Sequence, residues 1–195
     1  MIKKLILLFT IYTWCMVSAT AQTENPKVTE KDYLDVMNQV LPDDTGTYLL
    51  ENCAGFKMDS DIMNFFSAMT TPGRTHGVFD TIFSIADSSF ILSQINQSDG
   101  YTWKTGQLKS VTLIDHKTID SLFKSHFRGW EAFGTKYNRA GFFRISVPIF
   151  SKDLNTCVFF EDWLCGDLCG QGTVYYYRKL EGKWGIIYSF IVWMS

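Results

Sequence analysis

The sequence predicts an α+β fold in which N-terminal helices pack on one face of a C-terminal antiparallel β-meander of about four or more strands. Two observations carry this prediction. Before residue 128, apolar residues recur at helical spacing in stretches bounded by capping and breaking residues. From residue 142 onward, β-branched and aromatic residues dominate and turn signals interrupt them at short intervals.

The chain opens MIKKLILLFTIYTWCMVSATAQ, with Lys3 and Lys4 ahead of an apolar run and Ala19-Thr20-Ala21 as a small-x-small cleavage site. This is the pattern of a secretory signal peptide over 1–21, and it predicts an exported, periplasmic or secreted product. The alternative, an uncleaved anchor, meets an apolar run shorter than the ~20 residues a spanning helix needs. Bulky Tyr12 and Trp14 before Cys15 argue against lipidation. Residues 22–28 then read as a flexible tail and 29–195 as one globular domain.

Over 29–41, Tyr33, Val36, Met37, Val40 and Leu41 fall on one helical face, with Thr29 placed to cap, Glu30 and Asp32 in the first turn and Pro42 as the stop. A short strand follows over 47–54, then a strongly apolar helix over 59–69 and a TPGRTHG break. Residues 78–86 read as a possible strand, and Asp87-Ser88-Ser89 as the start of a helix running to Gln97. A turn at Ser98-Asp99-Gly100 leads to a strand over 108–114 and a helix from His116 to about Phe127. The meander then comprises FFRISVPIF, TCVFFEDWL, TVYYYRKL and WGIIYSFIVWMS, separated by SKDLN, CGDLCGQG and EGK. An unpaired C-terminal strand of this composition is an association hazard, so it is expected to be central or covered.

Aromatic residues at 16% and apolar residues at 46% supply a core and exclude a disordered chain. Cleavage would remove two lysines and no acid, shifting the formal net charge from −2 to −4. Lysines and arginines are scattered, which argues against a nucleic-acid partner. No second apolar run is long enough to span a bilayer.

Cys53, Cys157, Cys165 and Cys169 would remain after cleavage, and an even count in an exported protein favours bridges. In CGDLCGQG, the Gly-Asp-Leu spacer lets a turn bring Cys165 and Cys169 within bridging range. Another pairing or free thiols remain the alternatives. Gly166, Gly170 and Gly172 would supply positive φ or close backbone approach. A thioredoxin-type site needs Cys-x-x-Cys at a helix start, and this spacing and setting differ. His76, His116 and His126 lack zinc-site spacing, no metal or other cofactor is expected, and no lysine completes a phosphate loop.

The stretch from WEAF at Trp130 through FFRISVPIFSKD, CGDLCGQGTVYYYRKLEGKWGI and the closing WMS resembles a family of small exported proteins of Bacteroidetes-type bacteria. The shared element is CG-x-LCG-x-G followed by a GKW-x-I hairpin. The resemblance implies that Cys165 and Cys169 belong to that element and implies no activity. Helices followed by a curved meander ending in GKWGI are also similar to the cone-shaped NTF2-like domains, which host binders and enzymes alike.

Glu161 and Trp163 share one face of their strand and Asp162 points to the other. A carboxylate pair for hydrolysis would therefore join Glu161 to Asp167 or Glu131. Ser146, Ser151 and His126 allow a triad to be drawn, but no Gly-x-Ser-x-Gly elbow supports it. Among Tyr175, Tyr176, Tyr177, Trp184, Tyr188, Phe190 and Trp193, core packing accounts for most, and an exposed row would remain as a ligand surface. The resulting expectation is a non-catalytic module binding a protein or small ligand at a groove near Trp130, Trp163 and Glu161. A carboxylate hydrolase is the alternative, and a thiol-disulfide redox protein ranks below it.

Overall fold

The computed structural model of the protein describes residues 25–42, 47–51, 83, 87–124 and 128–195. Outside these lie the expected signal peptide, Cys53, the helix over 59–69, the TPGRTHG break, His76 and His126.

Helix α1 (Glu30–Val40) begins where its capping signals stand: the Asp32 carboxylate accepts from the Thr29 backbone N–H at 2.8 Å and from its hydroxyl at 2.6 Å. Pro42 disfavours a helical residue before it, and Leu41 is extended. Val28, assigned to the tail, instead packs partly buried against the core under α1. Strand β1 (Thr47–Leu50), helix α2 (Ser88–Gln97), strand β2 (Val111–Ile114) and helix α3 (His116–Leu122) follow. Asp115 caps α3 by accepting the Thr118 N–H at 2.9 Å. Helix α4 (Gly129–Tyr137) comes next, then strands β3 (Phe142–Ile145), β4 (Ile149–Phe150), β5 (Thr156–Gly166), β6 (Cys169–Leu180) and β7 (Lys183–Met194).

The sheet has seven strands in the order β2-β1-β3-β5-β6-β7, with β4 beside β5. The C-terminal strands are antiparallel, as the run of hairpins predicts, whereas β1 runs parallel to both β2 and β3. The α+β order of helices before strands holds.

The helices divide between both faces, and alternation along β5 shows how. Val158 and Phe160 join Ile91 and Ile95 of α2, with Val174 and Tyr176. Cys157 and Phe159 point the other way and join Val36 and Met37 of α1, with Ile145, Phe150 and Trp184. At the β2-β1-β3 end, Ile119 of α3 and Phe133 of α4 cover Phe142, whose partner Leu164 shares the Phe160 face of β5. We call the α2 side the inner-helix face and the α1 side the cup face.

Three elements depart from the sequence reading. FFRISVPIF is not one strand. Pro148 lacks an N–H, and the Ser146 hydroxyl takes the Phe160 N–H at 2.9 Å, so β3 ends and the short β4 restarts beside β5. Gln94 of α2 then completes β4: its amide donates to the Phe150 carbonyl at 2.8 Å and accepts from the Phe150 N–H at 2.9 Å. Helix α4 carries two glycines in nine residues and has weak helical propensity. Tertiary contact forms it, with Phe133 fully buried and Asn138 closing it in the left-handed conformation.

Strand β7 is not central but lies at the sheet edge. Its Tyr188, Phe190 and Trp193 pack on the inner-helix core, while Ile186, Ile191 and Met194 are exposed. Two β-bulges interrupt its pairing with β6, a device that blunts an edge against further strand addition.

Candidate functional site

The CGDLCGQG segment is a stapled hairpin. A bulge at Cys165 lets Gly166 pair with Cys169, leaving Asp167 and Leu168 as the turn. The Cys165–Cys169 disulfide spans a Cα–Cα distance of 5.1 Å. The Cys157 thiol is free and fully buried, and desolvation pushes its pKa well up, so it is not a nucleophile. The glycines serve close approach rather than positive φ. A Cβ on Gly172 would stand 2.0 Å from Trp193 Nε1, and one on Gly170 would stand 2.8 Å from the far edge of the same indole.

That indole completes a row across four strands. Arg144 pairs with Asp162, Asp162 with Gly172, and Gly172 with Trp193. Asp162 is 1% exposed. Its Oδ2 accepts from Arg144 Nε at 3.0 Å and also from Nη2, and its Oδ1 accepts from Trp193 Nε1 at 3.1 Å. Buried acids persist when paired and hydrogen-bonded in this way, which makes Asp162 structural.

Glu161, one residue earlier, has the opposite environment. It sits on the cup face in a cavity of about 220 Å³ lined by Val40, Leu41 and Pro42 from the end of α1, Phe143 and Ile145 from β3, Phe159 from β5, and Tyr175 and Tyr177 from β6. Phe159 stacks on Tyr177 and leans on Tyr175, each with centroids 5.5 Å apart, and Trp163 backs Phe143 at 4.5 Å. The Glu161 carboxylate accepts from the Tyr175 hydroxyl at 3.4 Å. Burial pushes its pKa up to about 7 against that hydrogen bond, and the Asp162 charge adds to the rise. Burial also raises Tyr175, and raises Tyr177 to about 12. Tyr176 is core, while Tyr175 and Tyr177, on the opposite face of β6, wall the cavity.

The other sequence candidates stand elsewhere. Trp130 packs on Phe142 and Phe123 and donates from Nε1 to Asp167 at 3.2 Å. It lies on the inner-helix face, so the groove expected to join Trp130 with Trp163 is divided by the sheet itself. Asp167 is at the hairpin turn and Glu131 is exposed on α4, and neither is on the face that carries Glu161. Ser146 and Ser151 hold backbone groups of β5. Phe143, Phe159 and the α1 terminus were absent from the sequence candidates. Alternation from Glu161 would have found Phe159, while Phe143 and the α1 terminus required the pairing register.

A second cleft, of about 410 Å³, lies between α1 and the β6–β7 turn. Its central groups satisfy one another: Asp35 accepts from Lys179 at 2.7 Å and from Trp184 Nε1 at 3.1 Å. Burial alone would raise the Asp35 pKa, but these contacts outweigh it and lower it. This cleft is a clasp holding α1 to the sheet. Among the described residues, no three His, Cys, Asp or Glu side chains are placed to hold a metal ion, and no helix is long and apolar enough to cross a membrane. No family model matches the chain, and no curated protein or solved structure matches it.

Proposed function

We propose that the protein is an exported, non-catalytic binding module whose ligand site is the aromatic cavity on the cup face. The observation that carries this is a half-buried carboxylate, Glu161, facing a cavity walled by aromatic rings. Ligand sites of small molecules combine an apolar lining with few orienting polar groups, and the cavity volume suits a small ligand rather than a protein segment. The leader-like N-terminus and the resemblance of the last third to exported proteins support the export half of the reading.

An acid–base hydrolase would need a second carboxylate beside Glu161. Asp162 is on the opposite face and held by Arg144, and Asp167 and Glu131 lie away from the cavity. The binding reading therefore uses the geometry as it stands. The test is an NMR screen of small aromatic fragments, following the amides of β5 and β6. Leu41 lines the rim, and Leu41→Trp is expected to fill the cavity and abolish the shifts without unfolding the chain. Shifts that persist undiminished in the folded Leu41→Trp protein would refute the assignment of the cavity.

A further inference from the structure

Glu161 has an unusual position for a surviving acid. A leucine or glutamine there would avoid the desolvation that a carboxylate suffers in an aromatic pocket. Its neighbour Asp162 resolves the same problem by taking Arg144 and Trp193 on the opposite face. Glu161 takes no cation among the described residues, and its one hydrogen bond comes from a tyrosine hydroxyl at 3.4 Å.

Among the described residues, nothing that lines the cavity carries a positive charge. From β6 the cavity receives Tyr175 and Tyr177, which burial keeps as neutral phenols, and the Asp162 carboxylate behind the strand is already paired with Arg144. From β3 come Phe143 and Ile145, and from α1 Val40, Leu41 and Pro42, none of them charged. Among the described residues, no lysine, arginine or histidine lines the cavity. Phe143, Phe159, Tyr175 and Tyr177 line it, and aromatic rings are the side chains that attract a cation without carrying a charge. An anion would find no counter-charge here. A neutral apolar ligand would leave the carboxylate as unpaired as before.

We propose that the cavity takes an organic cation, a primary or alkylated ammonium on a small apolar body, with Glu161 as its counter-ion and the aromatic rings as its cage. This rests on the cavity being the ligand site. The ammonium replaces the missing partner of Glu161, and the apolar body covers Ile145, Phe159 and the α1 terminus. Binding of the cation favours the ionised carboxylate, so it releases a proton wherever Glu161 is still protonated, and affinity rises with pH through the neutral range.

The test compares 2-phenylethylammonium with its neutral isostere 2-phenylethanol, titrated by NMR against the full exported chain and against Glu161→Gln. In the native protein the ammonium is expected to bind at least about ten-fold more tightly than the alcohol at pH 8, a difference typical of a desolvated charge pair. Its affinity should fall about ten-fold between pH 8 and pH 6, because the ionised fraction of a group titrating near 7 falls by that factor. Glu161→Gln should lose both the preference and the pH dependence while still binding the alcohol. Equal affinity for the two probes, or a preference that survives in Glu161→Gln, overturns the cation assignment and leaves the cavity as a ligand site. If neither probe shifts the cavity amides in the native protein, both readings fall.

Discussion

Replacing Gly172 with alanine should destabilise the protein although the backbone there is ordinary strand. Gly172 does not have positive φ, so an added Cβ would normally stabilise by about 0.4–1 kcal/mol through the unfolded chain. Here the Cβ would stand 2.0 Å from Trp193 Nε1 and 2.4 Å from its neighbouring ring carbon. The indole must therefore leave. It would lose its 3.1 Å hydrogen bond to the buried Asp162, about 1.5–3 kcal/mol for a charged acceptor, and part of its apolar contact with the inner-helix core, about 1–2 kcal/mol. The net loss is about 2–4 kcal/mol, or roughly 5–15 °C in Tm for a chain of this size. Urea unfolding followed by circular dichroism, with the disulfide intact, measures it. The decisive comparison is a double-mutant cycle. In a Trp193→Ala background the clash is gone, and Gly172→Ala should be neutral or slightly stabilising. An equal loss in both backgrounds, with coupling below about 0.5 kcal/mol, would refute the account of this glycine.

Glu161 predicts a pH dependence of stability in the unusual direction for an acid. Its folded pKa, about 7, is above the ordinary 4.5, so the stabilising protonation is complete below the unfolded value and is lost as pH rises through the folded one. Native stability should fall by on the order of 3 kcal/mol between about pH 4.5 and 7, and Glu161→Gln should remove that decline in denaturant titrations across the window. A decline of the same size in Glu161→Gln would assign it to other groups. Gln94 makes a different prediction, because both halves of its amide substitute for a missing strand beside Phe150. Gln94→Leu keeps the apolar volume but strands a buried N–H and carbonyl, and should cost about 2–4 kcal/mol in the same unfolding assay, whereas a loss under about 1 kcal/mol would show that α2 docks through Ile91 and Ile95 alone.

How much was legible in the sequence depended on whether a signal was local. Helix α1 was legible because Thr29, Asp32 and Pro42 mark its ends within the segment itself. The hairpins were legible because EGK and CGDLCGQG interrupt β-rich runs, and Glu181 and Gly182 do adopt the left-handed conformations their turn requires. Helix α4 was not legible, since Gly129 and Gly134 mask a helix that Phe133 and Trp130 create by packing. Neither was the parallel pairing of β1 with β3, which depends on residues almost a hundred positions apart. The site divided along the same line. Alternation within β5 placed Glu161 and Trp163 together, but Trp130 stands on a helix of its own, and nothing local to it tells which face of the sheet that helix covers.

The two adjacent acids of β5 show what that face decides. Glu161 and Asp162 differ by one methylene and one position, yet the strand turns them to opposite sides. On the inner-helix face, Asp162 meets an arginine from β3 and an indole from β7, so its charge is neutralised inside the protein and its role ends with stability. On the cup face, Glu161 meets rings and a tyrosine hydroxyl, and no cation among the described residues answers its charge. A one-residue slip of β5 against β3 and β6 would exchange these surroundings, placing the acid with a partner in the cavity and the acid without one in the core. The Gly172–Trp193 contact opposes that slip, because only glycine opposite Asp162 leaves room for the indole that bonds it. The structural row on one face thereby fixes the register that leaves Glu161 without a cation, among the described residues, on the other.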